Sequence, residues 1–187
     1  MESGFKLFMV MLGATPEGRL TEQHDIFFGI GKSLKELVPK MEESWPEAKG
    51  IIHIDAWREV TSVDGFEVIV SPKTDSVSGN HLFFLNLGGY RDGEFEEYHY
   101  KVLTVSETMA AAIKTSKATT FYKHCGFKGA ESHIDDKYGI DVDDVFKVID
   151  ILPASDKQSF SIEFHHKTGI LPDELHIGYV KIASLLK

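Results

Sequence analysis

The sequence has a single cysteine, Cys125, among its 187 residues. One thiol cannot form an intrachain disulfide, and it excludes a metal cluster built from several thiolates. Long apolar runs are also missing. The N-terminal run Leu7–Leu12 is shorter than the roughly 7–15 residues of a signal-peptide core and than the roughly 18 residues of a membrane span. We therefore expect a soluble, cytoplasmic protein with no membrane partner.

Basic residues are too few and too scattered to form a nucleic-acid surface. The chain has 20 Lys and Arg against 29 Asp and Glu, which gives a net charge of −9. Nucleic-acid binding needs a positive patch that displaces counterions, so a nucleic acid is not an expected partner. The remaining partners are a small molecule, another protein, or a second copy of the chain in a homo-oligomer.

Motifs of high chemical specificity are missing as well. The chain has no HExxH pair and no phosphate-binding loop, and the acidic stretch at 135–144 lacks the spacing of a calcium loop. A lone cysteine such as Cys125 is more often inert than catalytic. We therefore predict no cofactor and assign no metal site.

What the sequence does contain is an internal repeat. The segment Lys6–Gly13 (KLFMVMLG) returns as His81–Gly88 (HLFFLNLG), and at the same offset Glu22 and His24 meet Glu97 and His99. At a slightly longer offset the string His-Ile-Asp at 53–55 meets the same string at 133–135. Repetition predicts two similar modules. A module of about 70 residues is marginal alone, so we expect the two modules to share an interface.

Each copy has the pattern β-β-α-β-β. The first strand is apolar at every position, which suits a strand buried on both faces. Ser33 and Glu36 have the spacing of a capping box at the start of the first helix. The prediction is an α+β fold: two tandem β-β-α-β-β repeats related by a pseudo-twofold axis, with antiparallel sheets, a helix on one face, and a C-terminal β-hairpin. The predicted segments are 5–70 for the first repeat, 71–80 for a linker, 81–151 for the second repeat (its last strand at 145–151), and 160–187 for the hairpin extension.

Several strings resemble a bacterial family, the domain of unknown function numbered 1543. They are KLFM at 6–9, EQHDIFFG at 22–29, HIDAWREV at 53–60, FYKH at 121–124 and SHIDDKYG at 132–139. The resemblance covers most of residues 5–152. It implies a domain that can occur as two copies, and it implies no activity, ligand or catalytic residue.

The candidate site consists of the polar residues that the two copies share. These are Glu22, His24, His53 and Asp55 in the first copy, and Glu97, His99, His133 and Asp135 in the second. His53 and Asp55 have one strand parity and Ile54 the other, so the two polar side chains should lie on the face away from the helix. Imidazole and carboxylate groups suit ligand binding, metal ligation and acid–base chemistry. They also suit a structural role, in which a buried histidine holds a loop to a strand, and the sequence favours this interpretation because isolated His and Asp residues are a weak metal signal.

The sequence therefore leaves two functions open. The first hypothesis is a non-catalytic module that binds a small ligand or a protein, because the scaffold is duplicated and specific catalytic motifs are missing. The alternative is a metal-dependent or His/Asp acid–base enzyme with a site at the interface of the repeats. Stoichiometric metal in the purified protein would favour the alternative.

Overall fold

The computed structural model describes residues 4–74, 79–90, 93–116 and 140–187, with only the backbone described at Tyr90 and over 140–143. Its strands are β1 (Lys6–Ala14), β2 (Gln23–Gly31), β3 (His53–Glu59), β4 (Ser62–Val63), β5 (Phe66–Pro72), β6 (His81–Tyr90), β7 (Glu97–Ser106), β8 (Ile140–Lys147), β9 (Phe160–His166) and β10 (His176–Lys181). The longer helices are α1 (Leu34–Ser44) and α2 (Met109–Ser116), and short helical segments lie at Pro46–Ala48, Val148–Ile151, Ala154–Ser159 and Ile182–Leu185. The fold thus combines several antiparallel sheets with few helices, as the α+β prediction requires. None of the described helices is long and apolar enough to cross a membrane.

The chain divides into two compact units. The first contains Met1–Ser76 together with Leu152–Lys187, and the second contains Val77–Ile151. The C-terminal segment therefore belongs to the same unit as the N-terminal half, although more than 70 residues separate them in sequence.

The first unit holds a four-stranded sheet in the order β10-β3-β1-β2 and a three-stranded sheet in the order β4-β5-β9. One face of β1 packs against α1 in an apolar core. The fully buried members of this core include Val10, Leu12, Leu37, Met41 and Ile54. Burying a side chain of this size contributes roughly 1.5–3 kcal/mol. Leu7, on the other face of β1, is buried too, which fits the expectation of a strand covered on both sides at this end.

The second unit holds a three-stranded sheet in the order β7-β6-β8. Its core contains Phe83, Leu85 and Leu87 on one face of β6, together with Ala112 of α2. The central strand β6 is flanked by β7 and β8, as β1 is flanked by β2 and β3. The sequence predicts a helix over about 106–123 in this copy, of which residues 117–123 lie outside the described residues.

The predicted C-terminal hairpin is wrong. β9 pairs antiparallel with β5, whereas β10 pairs antiparallel with β3 in the other sheet. The apolar alternation in 160–187 correctly indicates strands, but alternation does not specify the partner of a strand. Each of the two strands instead extends the edge of a sheet formed by the N-terminal half.

Two local predictions also need correction. The strand expected at 145–151 is β8, which ends at Lys147, and Val148–Ile151 is helical. At the start of α1, Ser33 makes no side-chain capping hydrogen bond, while Glu36 Oε2 accepts one from the backbone N–H of Lys32 at 2.8 Å. Only the glutamate half of the predicted capping box therefore forms.

Asp156, in the C-terminal segment, joins this segment to the first half of the chain. Its side chain is 2% exposed, it forms an ion pair with Lys40 of α1, and its Oδ2 accepts a hydrogen bond from Ile30 N at 2.9 Å. Lys40 Nζ also donates to Ile30 O at 3.0 Å. Ile30 lies on β2, an edge strand of its sheet, so the pair satisfies polar backbone groups that no further strand reaches.

Asp173 makes a second connection from the C-terminal segment. Its Oδ1 accepts hydrogen bonds from the backbone N–H groups of Thr61 and Ser62 and from the Thr61 hydroxyl. The guanidinium of Arg58 lies 3.8 Å from Oδ2. Burial lowers the pKa of Arg58, and the Asp173 carboxylate partly offsets this effect. The turn from β3 to β4 therefore depends on a residue more than 100 positions away.

We predict that Asp156→Ala lowers the free energy of unfolding by about 2–3 kcal/mol, because a buried charge-assisted hydrogen bond and its ionic partner are lost together. Urea denaturation followed by tryptophan fluorescence measures this change, since Trp45 and Trp57 both lie in the first unit. The control is Glu59→Gln, which breaks the exposed Lys6–Glu59 pair and should cost under about 1 kcal/mol. Equal losses in the two variants would contradict this role of Asp156.

Candidate functional site

The candidate site lies where β1, β2 and β3 meet at one end of the sheet. Gly13 on β1 is directly opposite His24 on β2 and directly opposite His53 on β3. Residues opposite each other in an antiparallel ladder share a face, so the two imidazoles flank the glycine on the same side of the sheet. Ile54 belongs to the core on the helix side, which confirms that His53 and Asp55 lie on the opposite face.

A β-bulge places Asp55 in this row. Met11 pairs with Ala56 and Leu12 pairs with Ile54, so Asp55 has no partner on β1. The pairing of β3 with β10 is also irregular at this point, between Ile177 and Val180. A bulge redirects the side chains around it. The backbone of β3 is therefore irregular toward both neighbouring strands at Asp55.

Glu22, His24, His53 and Asp55 converge, and we call them the His–carboxylate cluster. The Nε2 atoms of His24 and His53 each lie 3.3 Å from Asp55 Oδ2. The Glu22 carboxylate lies between the two rings as well, with Oε1 at 3.0 Å from His53 Nε2 and Oε2 at 3.6 Å from His24 Nε2. The structure thus brings together all four residues predicted for the first copy.

The cluster has a buried floor and an open rim. The side chains of His53 and Asp55 are 12% and 20% exposed, whereas those of His24 and Glu22 are 42% and 45% exposed. Glu22 lies in the loop just before β2, so its side chain has more freedom than the three strand residues. Solvent therefore contacts the cluster mainly through His24 and Glu22.

Two atoms of the floor have unmet hydrogen-bonding capacity. His53 Nε2 and Asp55 Oδ2 are buried, and neither has a hydrogen-bond partner among the described residues. The two atoms lie 3.3 Å apart, but they are too poorly aligned to form a hydrogen bond with each other. Buried polar atoms are nearly always satisfied in folded proteins, so two such atoms in one cluster need an explanation.

Gly13 leaves the space that the cluster occupies. A Cβ atom built on Gly13 would collide with Asp55 Oδ2 and His53 Nε2 and would lie 2.9 Å from His53 Cε1. The sequence predicts Gly13 only as the end of an apolar strand. Its role in making space for the cluster follows only from the strand register. The matching Gly88 in the other copy is the one signal in the sequence that could indicate this role.

Tyr179 also contacts the His–carboxylate cluster, and the sequence does not predict this contact. Its ring lies 4.5 Å from the His53 ring, centroid to centroid, and it comes from β10 in the C-terminal segment. The aromatic contact restricts the orientation of the imidazole. A contact between residues this far apart in sequence follows from the β10–β3 pairing.

The predicted site of the second copy is described only in part. Glu97 and His99 are close, with His99 Nε2 4.0 Å from Glu97 Oε2, and His99 is directly opposite Gly88. His133 and Asp135 lie outside the described residues, so their membership stays a prediction.

β8 pairs with β6 on the side opposite β7. The register of this pairing shows which residues of β8 correspond to His53 and Asp55. Asp141 is directly opposite Gly88, as His53 is opposite Gly13. The pairing of β6 with β8 shifts between Asn86 and Leu87, which leaves Asp143 without a partner on β6, as Asp55 has none on β1. Aspartates therefore hold the backbone positions next to β6 that correspond to His53 and Asp55.

Two further histidines of the C-terminal segment have ordinary contacts, and the single cysteine lies outside the described residues. Cys125 belongs to the undescribed segment. His165 lies 3.4 Å from Glu163, and His176 stacks on Trp57 with ring centroids 3.8 Å apart. The hydroxyl of Ser71 donates to Glu163, and together with His165 it lowers the pKa of that carboxyl. In the described part of the chain, no group of three or more His, Cys, Asp or Glu side chains forms a preassembled metal site.

We predict that Gly13→Ala displaces His53 and Asp55 and lowers the free energy of unfolding by about 1–3 kcal/mol, the usual cost of overpacking. Chemical denaturation measures the loss. Gly79→Ala is the matched control, because a Cβ there meets open space and the backbone φ is ordinary. The control should change stability by less than about 0.5 kcal/mol, and equal effects at the two glycines would contradict the spatial role of Gly13.

The fold is similar to that in the crystal structure of a protein Il1583 from Idiomarina loihiensis. The two chains are 24% identical with a TM-score of 0.63, over 94% of this chain and 95% of that chain. This likeness shows a shared fold. A search of curated proteins finds no match. Residues 19–70, which include the whole His–carboxylate cluster, match the family model Domain of Unknown Function (DUF1543), and this match confirms the resemblance indicated by the sequence.

Proposed function

We propose that the chain is a non-catalytic binding protein whose ligand occupies the His–carboxylate cluster of the first unit. The observation that carries this proposal is the pair of buried, unpartnered atoms, His53 Nε2 and Asp55 Oδ2. A structural role would pair these atoms with each other or with the backbone. A bound ligand supplies the missing partner.

The charges of the cluster restrict the ligand. Two carboxylates lie beside two imidazoles, so the site is negative whenever the imidazoles are neutral. An anion would be repelled, whereas a cation or a group with several hydrogen-bond donors would be attracted. The negative net charge of the whole chain acts in the same direction. The ligand we propose is therefore small and cationic or rich in donors.

The two units support an origin by duplication, which we include in the proposal. In each unit the first strand is central, the second and third strands flank it, and the third strand carries a bulge with an aspartate. The pairing of β1 with β2 and that of β6 with β7 also correspond residue by residue. The second unit keeps Glu97 and His99 but has Asp141 opposite Gly88, so the proposal assigns the ligand to the first unit. The pseudo-twofold axis, the cytoplasmic location and the homo-oligomer stay predictions from the sequence.

One observation favours acid–base catalysis as the second candidate function. His53 Nε2 lies between two carboxylate oxygens, at 3.0 Å from Glu22 and 3.3 Å from Asp55. A histidine held in this way can accept a proton from a bound substrate and pass it to a carboxylate. If the protein is such a catalyst, His53→Ala should abolish turnover. A rim variant such as His24→Ala should still bind substrate.

We predict that Asp55→Asn raises the free energy of unfolding by about 0.5–2 kcal/mol in the ligand-free protein, because binding sites are commonly strained until the ligand arrives. The substitution removes one negative charge from beside Glu22 and keeps the shape of the side chain. Urea denaturation of the ligand-free protein measures the change.

The matched control for this experiment is Asp25→Asn. Asp25 is the neighbour of His24 on β2 and is exposed, but it is opposite Leu12 and therefore on the other face of the sheet. It should change stability by less than about 0.5 kcal/mol. If Asp55→Asn instead lowered the melting temperature markedly while the control did not, the cluster would be structural and the proposed function would be wrong.

A further inference from the structure

We propose that the ligand is a single divalent transition-metal ion, held by His24 Nε2, His53 Nε2, Asp55 Oδ2 and a carboxylate oxygen of Glu22. This inference rests on the proposed function, since it identifies the ligand of the same cluster. The set of donors is the first reason. Imidazole nitrogens with carboxylate oxygens suit Zn²⁺, Fe²⁺ and Mn²⁺, whereas Ca²⁺ and Mg²⁺ prefer oxygen ligands alone.

The spacing of the donor atoms is the second reason. Two ligand atoms that are each about 2.1 Å from one ion lie about 3.0 Å apart at a right angle and about 3.4 Å apart at the tetrahedral angle. The four nitrogen–oxygen separations in the cluster are 3.0, 3.3, 3.3 and 3.6 Å. Three of them fall within this range, and the fourth, from Glu22 Oε2 to His24 Nε2, is slightly longer.

The orientation of the floor is the third reason. Both imidazoles approach Asp55 through Nε2, and neither His53 Nε2 nor Asp55 Oδ2 has a hydrogen-bond partner in the described residues. A nitrogen and a carboxylate oxygen that lie 3.3 Å apart without a hydrogen bond form an arrangement that a shared cation would satisfy. Because Gly13 has no Cβ, His53 Nε2 and Asp55 Oδ2 can both lie above it, and Tyr179 restricts the ring of His53.

The exposure of the ligands indicates how the site is loaded. The cluster is not preassembled as a set of three or more metal ligands, and the two rim residues, His24 and Glu22, are nearly half exposed. We therefore infer that the ion meets the rim side chains of His24 and Glu22 first, and that these turn inward to bring it to the buried pair His53 and Asp55. Fixing an exposed side chain in one conformation costs about 1–2 kcal/mol of conformational entropy. This cost is small compared with the free energy of metal binding at a structural site.

The ligand charges fit a divalent ion. Glu22 and Asp55 supply two negative charges and the imidazoles bind metal in their neutral form, so a divalent ion gives a neutral site. The open rim leaves room for water as an additional ligand. At the corresponding backbone positions the second unit has Asp141 and Asp143, so it lacks the counterpart of the His53 imidazole, and we expect one transition-metal ion per chain, bound in the first unit.

The test is titration of the metal-stripped full-length chain with Co²⁺ and Zn²⁺, without a histidine tag. We expect one Co²⁺ per chain, with visible absorption bands that Zn²⁺ displaces, and a higher melting temperature in the loaded protein. His53→Ala and His24→Ala should each weaken binding at least about tenfold, the lower limit seen when even outer-shell groups are lost. Asp25→Asn should bind as the unchanged chain does.

The His24→Ala variant keeps the test decisive if His53→Ala fails to fold, because His24 is on the exposed rim and its loss should not unfold the sheet. Absence of a Co²⁺ spectrum, or binding unchanged in His24→Ala, would overturn the metal proposal. The proposed function then survives if Asp55→Asn still stabilises the ligand-free chain. If Asp55→Asn destabilises the chain as well, both proposals fail.

Discussion

The candidate site depends on one local constraint, which is the β-bulge at Asp55 beside the side-chain-free Gly13. Regular pairing of β1 with β3 would give Asp55 a partner on β1, as each of its neighbours Ile54 and Ala56 has. The extra residue at the bulge lets Ile54 and Trp57 both pack on the helix side of the sheet although they are three positions apart. Since Gly13 has no Cβ, the two imidazoles and the carboxylate can share the space above it. The rest of the site, including the Glu22 loop and the Tyr179 ring, packs around this point.

The stability of the first unit depends on its C-terminal segment. Asp156 satisfies the edge of β2 and the ammonium group of Lys40, while Asp173 holds the turn from β3 to β4. β10 extends the sheet next to β3 and places Tyr179 against His53. The segment that completes the fold therefore also supplies part of the site. Of these contacts, those from β10 lie next to the bulge at Asp55, because β10 pairs with Ile54 and Ala56 on either side of it.

The sequence predicts the parts of this fold that depend on local pattern. The sequence alone shows the continuous apolar run of β1 and the helical spacing of Leu34, Leu37 and Met41. The similarity between the two copies is enough to select the four residues of the cluster, Glu22, His24, His53 and Asp55. What it does not predict depends on pairing between distant strands. The partners of β9 and β10, the role of Gly13 and the position of Tyr179 all follow from register, which alternation leaves open. The correspondence of Asp55 with Asp143 at the two bulges also follows from strand register, whereas His133 and Asp135 lie outside the described residues and their membership stays a prediction.

The most direct test of a metal ion in the His–carboxylate cluster is a crystal structure of the chain soaked with Zn²⁺, with anomalous data collected at the zinc edge. We expect one anomalous peak above Gly13, about 2.0–2.2 Å from His24 Nε2, His53 Nε2, Asp55 Oδ2 and a Glu22 oxygen, with the bulge at Asp55 retained. A regular β1–β3 ladder at Asp55, or His53 and Asp55 hydrogen-bonded to each other with no peak between them, would contradict it.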